Sequence, residues 1–233
     1  MLPLNFAVPE GSYGMGYFDK GLFEFLTELK THNDRAWFTK NKSRFEQEIK
    51  EPFLDFISDA GPQLRKISKS IVSDPRPVGG SLFRIYRDVR FSKDKSPYKT
   101  HAAAHFQSGG KGVHGPGYYV HLEPGECFIG GGMWMPEPKV LEEIRNRIVD
   151  KPAEWKKARV SLSHPEDALK RPPRGFDPDH PMIEDIKRKS FTTGVKITNK
   201  QVLADDFMKT FIGACREMAP LMKFLATAAG VPW

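Results

Sequence analysis

The order of patterns along the chain predicts an α+β fold: one domain with a central antiparallel sheet of about four to six strands, packed by N-terminal and C-terminal helices. Three observations carry this. Apolar residues recur at helical spacing between Leu22 and Ile67. From Leu82 to Gly131 they alternate with the two-residue period of strands separated by Gly- and Pro-rich turns. After Glu137 the helical spacing returns. Helices, then strands, then helices is the order of segregated layers rather than of a parallel βαβ sheet.

Asp19 is placed to cap a first helix reaching about Lys30, with Leu22, Phe25, Leu26 and Leu29 on one stripe. Asn33 is read as the cap of a second helix carrying Trp37 and Phe38 past Phe45 and Ile49. Pro52 opens a new segment, because an interior proline lacks the N–H that the helix needs. The stripe of Phe53, Leu54, Phe56, Ile57 and Leu64 continues it, with a kink expected at Gly61-Pro62.

Four strands follow. In 82–91 the residues Phe83, Ile85, Val89 and Phe91 fall on one face, and Arg84, Tyr86, Asp88 and Arg90 on the other. The second strand, about 101–106, places His101, Ala103 and His105 opposite Ala102, Ala104 and Phe106. The third, Tyr118 to Leu122, sets Tyr118, Val120 and Leu122 against Tyr119, His121 and Glu123. The fourth is Cys127 to Gly131. Five glycines and a proline between Ser108 and Gly117 make a flexible connection. A helix over about 137–149 points Val140, Leu141, Ile144 and Ile148 inward. The proline-rich run 171–181 is a rigid charged loop, and Thr198 caps a last helical region with a stripe of Leu203, Phe207, Phe211 and Met218.

The chain has 233 residues, 39% of them hydrophobic and 17 of them Phe, which suffices for a core without disulfides and excludes a disordered chain. Residues 1–17, rich in Pro and Gly, read as a flexible leader before one domain over 18–233. The formal charge of +7 favours acidic partners: nucleic acid, phosphorylated metabolites or anionic surfaces. Two cysteines, Cys127 and Cys215, give neither a disulfide framework nor a zinc knuckle. No apolar run approaches the roughly 18 residues of a membrane span, and Met1 to Gly16 lacks the basic and apolar regions of a signal peptide. The expectation is a cytoplasmic protein with no membrane partner.

The stretch from Arg84 to Lys99 is the most distinctive. It holds six Lys/Arg against two Asp. Arg84 and Arg90 lie about 20 Å apart on an ideal strand, too far to share one phosphate. Arg90 with the loop Ser92-Lys93-Asp94-Lys95-Ser96, followed by Lys99, offers the hydroxyl, ammonium and backbone donors that an anion requires. The alternative is that Asp88 and Asp94 pair with these bases to brace a corner.

Four blocks together resemble an uncharacterised family, domain of unknown function 2461: Asn33-Asp34-Arg35-Ala36-Trp37-Phe38 with Asn41-Lys42; Arg84–Thr100; Gly117 to Leu122 through Gly131-Gly132-Met133-Trp134; and His180-Pro181. The resemblance covers roughly 18–225. It implies one domain of mixed helix and sheet, and no activity, substrate or cofactor.

The best functional expectation is therefore a protein binding a phosphorylated or carboxylated small molecule through Arg84, Arg90, Ser92, Lys93, Lys95, Ser96 and Lys99. If it is an enzyme, His101 or His121 would transfer protons near neutral pH, with Tyr86 supplying a hydrogen bond or stacking face. Three other classes stay open. Basic residues beside Tyr86, Phe91 and Tyr98 suit a nucleic-acid-binding module. His121 and Glu123, at i and i+2 of a strand, suit a metal-dependent enzyme of the two-histidine-one-carboxylate kind, with the second histidine drawn from His101, His105, His164 or His180; no metal ligand is assigned. A structural protein with no ligand is the last. No nucleophile elbow, Walker loop or dinucleotide fingerprint occurs. Gly130-Gly131-Gly132 before Trp134 fits a glycine-lined, aromatic-capped pocket wall as well as it fits a phosphate loop, and Trp37, Phe38 and Trp134 are most simply core anchors.

Overall fold

The structure, a computed structural model, describes residues 16–109, 113–159 and 162–233. Most of the expected leader lies outside the described residues. Helix α1 (Lys20–Thr31) starts where the Asp19 carboxylate accepts from the Gly21 N–H. Helix α2 (Arg35–Lys40) is capped by Asp34, not by Asn33: the Asp34 side chain accepts from Trp37 N. Helices α3 (Lys42–Phe45) and α4 (Glu51–Arg65) join through one π-helical turn, Glu46–Lys50. Pro52 stands in the first turn of α4, where its missing N–H is tolerated. The helix runs on through Gly61-Pro62 to Arg65.

The sheet is an antiparallel meander of β1 (Ala102–Gln107), β2 (Gly117–Leu122), β3 (Cys127–Met133) and β4 (Phe191–Ile197), in that spatial order. Its first three strands are those the alternation predicts. The fourth is not 82–91 but Phe191–Ile197, which the sequence reading passed over. Segment 82–91 makes only isolated bridges, Leu82 with Ala104 and Tyr86 with Tyr98. It reaches β1 through Phe83 N→Ala103 O and His105 N→Ser81 O, then turns to residues 97–99 through Arg87 N→Pro97 O and Lys99 N→Ile85 O. Pro97 has no N–H to complete that ladder, and Asp88 and Asp94 accept from backbone N–H groups two residues on, closing local turns instead. Of the four residues expected to face inward, only Ile85 is buried; Phe91 is 96% exposed.

One face of the sheet is covered by helices. Ala102, Ala104, Phe106, Tyr118, Val120, Leu122, Cys127 and Ile129 join residues of α1, α4 and the first part of α9 (Phe207–Ala228) in one core. Phe25, Phe53, Phe56, Phe106, Phe207 and Phe211 are all fully buried there, each stabilising by about 1.5–3 kcal/mol. Tyr118 donates from its hydroxyl to Cys215 O at 2.8 Å, fixing α9 across the strands. A second core gathers α5 (Pro138–Asp150), α6 (Pro152–Ala158) and α7 (Ile183–Ile186) with Met133, Phe191 and the last turns of α9. Its centre is Trp155, whose indole N–H donates to the buried Asp185 carboxylate at 2.7 Å. Thr198 caps α8 (Asn199–Val202) in a reciprocal capping box with Gln201. No described helix is long and apolar enough to cross a membrane.

Candidate functional site

Strand parity leaves the other face of the sheet to His101, His105, Gly117, Tyr119, His121, Gly130, Gly132, Thr192, Gly194 and Lys196. The register makes a floor of it. His105, Tyr119, Gly130 and Gly194 form one row across four strands; Gly117, Gly132 and Thr192 lie in the next. Glycine at four of these positions, Gly117, Gly130, Gly132 and Gly194, leaves much of the floor bare. The result is a cavity of about 680 Å³ whose walls are Phe83, His105, Tyr119, Phe128, Trp134 and His164, with Ser163, Thr192, Thr193 and Lys196 supplying polar atoms. Trp134 is therefore not a core anchor: it is 58% exposed and meets His164 edge-on at 4.9 Å.

The lip of this cavity is conformationally strained. Among the described residues only Met135 (φ 43°) and His164 (φ 56°) hold positive φ without being glycine. Both adjoin the Trp134–His164 wall, and such strain concentrates at functional sites. Thr192 Oγ1 is buried in the lining with no hydrogen-bond partner among the described residues. His105 stacks on Phe83, and burial holds its imidazole below the ordinary value. Burial pushes the Tyr119 phenol up to about 12, so it stays protonated.

At the edge of the floor Tyr119 meets a second group. Its hydroxyl lies 3.0 Å from His121 Nδ1, while His121 Nε2 lies 3.4 Å from Glu123 Oε2. The His101 and His121 rings stand 4.2 Å apart. The adjacent, antiparallel pairing of β1 and β2 brings these two predicted histidines together. Burial and its neighbour His121 lower the His101 imidazole to about 4; burial also lowers His121, against the opposing pull of Glu123. Both rings are neutral at pH 7.

The basic motif is arranged differently from the expectation. Arg90 pairs with Asp88 at 2.7 Å, and Arg87 pairs with Asp94. Asp94 also accepts from Ser96 N and Oγ, and Ser92 Oγ accepts from Arg87. Lys95 donates to Val89 O, and Lys99 donates to Arg84 O while lying 5.3 Å over the Phe83 ring. The loop's aspartates thus already engage several of the donors proposed for an anion. Arg84 and Lys93 are exposed. Tyr86 packs on Phe38 and Tyr98, in a cluster apart from the two histidines. No residue of the motif lines the cavity; Phe83, the residue just before it, does.

Residues 21–224 match the family described as conserved hypothetical protein (DUF2461). The chain belongs to that family. No curated protein and no solved structure matches it. Three of the family-like blocks surround the features above: Asn33 bonds to Tyr98 of the basic stretch, and the block from Gly117 to Trp134 supplies most of the cavity floor. Sequence reasoning missed Thr192, Gly194 and Lys196 with their strand. The signal was present in Phe191-Thr-Thr-Gly-Val-Lys-Ile197, which is β-branched and aromatic at alternate positions.

Proposed function

We propose that this is a cytosolic small-molecule-binding protein whose ligand lies on the open face of the sheet: a largely apolar, flat molecule carrying one carboxylate. The observation that carries this reading is the bare glycine floor walled by aromatic rings. A cavity of this size, mostly apolar with a few convergent polar groups, is the usual form of a ligand site. Rings favour a flat apolar body. The lining offers one ammonium, Lys196, and hydroxyls such as Thr192, which suits a carboxylate; a phosphate asks for more charge-assisted donors. Acidic-ligand binding thus moves from the Arg84–Lys99 loop to the cavity beside it. The two free, buried thiols of Cys127 and Cys215 are consistent with a reducing compartment.

The test is a thermal-shift screen of aromatic and aliphatic carboxylates against matched phosphates, with Gly130→Val and Lys196→Gln in parallel. A Cβ at Gly130 meets only ordinary contacts, so valine fills the floor without breaking the strand. A ligand at 100 times its Kd adds about 2.7 kcal/mol, roughly 5–10 °C for a domain of this size. The shift should vanish in Gly130→Val and shrink in Lys196→Gln. A shift that survives Gly130→Val, or no shift with any carboxylate, sinks the reading.

A further inference from the structure

We propose that His101, His121 and Glu123 bind one divalent first-row transition ion at the edge of the open sheet face. This goes beyond the cavity reading and does not depend on it.

The geometry starts from the register. His121 and Glu123 share a face of β2 and its continuation, and the paired strand β1 delivers His101 from the residue just before its start. One ligand atom from each of the three lies within 4.8 Å of the others. His121 Nε2 and Glu123 Oε2, at 3.4 Å, already match the edge of a tetrahedron with bonds of about 2.0–2.1 Å. The widest separation must close by roughly 1.5 Å at most to reach that edge, which side-chain rotation alone supplies.

Two further observations point to an ion rather than to a plain polar cluster. The outward-facing atoms of two members are held by hydrogen bonds of their own: Tyr119 Oη on His121 Nδ1 at 3.0 Å, and Thr100 Oγ1 donating to Glu123 Oε1 at 2.9 Å. That leaves His121 Nε2 and Glu123 Oε2 turned to one point, the arrangement by which outer partners fix a ligating imidazole's tautomer and a ligating carboxylate's orientation. With an ion on Nε2, Nδ1 carries the proton and donates to Tyr119 Oη. His101, half-buried against His121, makes no hydrogen bond among the described residues. Two imidazoles and one carboxylate without thiolate favour the borderline ions, Zn²⁺, Fe²⁺ or Co²⁺, over soft Cu⁺ or hard Ca²⁺. Three protein ligands leave a coordination position open, as in catalytic rather than structural sites. Tyr119 and Phe128 belong both to the cavity wall and to the surroundings of His121.

The experiment uses the untagged full chain, stripped by dialysis against a chelator, then titrated with Zn²⁺ by calorimetry and with Co²⁺ by visible absorption. The expected result is one ion per chain and a cobalt ligand-field band. His101→Ala, His121→Ala and Glu123→Gln should each abolish both, and Tyr119→Phe should weaken affinity by about 10–100-fold. His114→Ala should bind as wild type does. Failure of wild type to bind one equivalent, or binding that persists in both histidine variants, overturns the proposal. Should an alanine variant not fold, Glu123→Gln decides, since it keeps the side chain's size. Carboxylate binding in the cavity is read separately on the stripped protein, so either site can fail alone.

Discussion

The Asn33 side-chain amide and the Tyr98 backbone form a closed pair: Nδ2 donates to Tyr98 O and Tyr98 N donates to Oδ1, both at 3.0 Å, across 65 residues. An asparagine here imitates one rung of a β-ladder, tying the start of α2 to the end of the basic stretch. This explains why Asn33, an obvious cap by its position, leaves capping to Asp34.

The first prediction follows from that pair. Asn33→Ala leaves both polar groups of a buried residue without partners, at a cost of about 2–4 kcal/mol, or roughly 5–15 °C in Tm for a domain of this size. Asn33→Asp keeps one acceptor but sets a carboxylate oxygen against Tyr98 O, an acceptor facing an acceptor, and should not restore the pair. Thermal melts of the three proteins decide it; an unchanged Tm in Asn33→Ala refutes the role.

Gly132 supplies the second. It holds φ 132°, and a Cβ there would run into Phe191 O. Gly132→Ala should destabilise by more than about 2 kcal/mol, whereas Gly130→Ala should be nearly neutral. Urea midpoints that rank the two the other way would contradict the packing of β3 on β4.

The third concerns pH. His101, His105 and His121 all have lowered values when folded, chiefly through burial. The unfolded chain therefore takes up these protons first, near 6.5. Their stabilisation is complete above about 6.5 and is lost as pH falls toward 4. Asp88, Asp94, Glu28 and Glu166, also lowered when folded, add their own loss only below about pH 5, as unfolded carboxylates begin to take up protons, so the histidine contribution is read between about 6.5 and 5. Chelator-treated protein should hold a constant urea midpoint from pH 7 to 8 and lose it steadily from 6.5 to 4. His105→Gln should flatten the slope; an identical slope would show that His105 is not desolvated.

The fourth separates the basic motif from the cavity. The Arg90–Asp88 pair is exposed, with Arg90 at 75%, and exposed pairs stabilise little. Arg90→Ala should melt with wild type and leave carboxylate binding in the cavity intact. Loss of that binding in a folded Arg90→Ala would return the site to the loop.

Much of the architecture was legible, and for identifiable reasons. Asp19 and Thr198 announce helices because their side chains have one local job. The parity of β1, β2 and β3 is readable because each buries one face on α9 or its neighbours. The alternation of 82–91 misled because it is carried by Phe83 and Phe91, whose rings lie on the surface; period two shows which residues could share a face, not whether a partner strand exists. The convergence of His101 with His121 needed the pairing of β1 with β2, which no spacing within either strand contains. The cavity was half visible: Gly130–Gly132 with Trp134 stood out, but the floor is completed by Gly117 and Gly194 from other strands.

Helix α9 touches both cores, with Phe207 to Met218 in one and Phe224 and Leu225 in the other. It also follows every other described element in the chain. During synthesis, then, the sheet face that α1 and α4 only partly cover stays incomplete until residues 207–228 leave the ribosome, and the interval is one in which strands with apolar faces are open to mispairing. The burden of protecting this chain in the cell falls on that interval, so shortening at α9 should yield insoluble protein rather than a smaller stable domain.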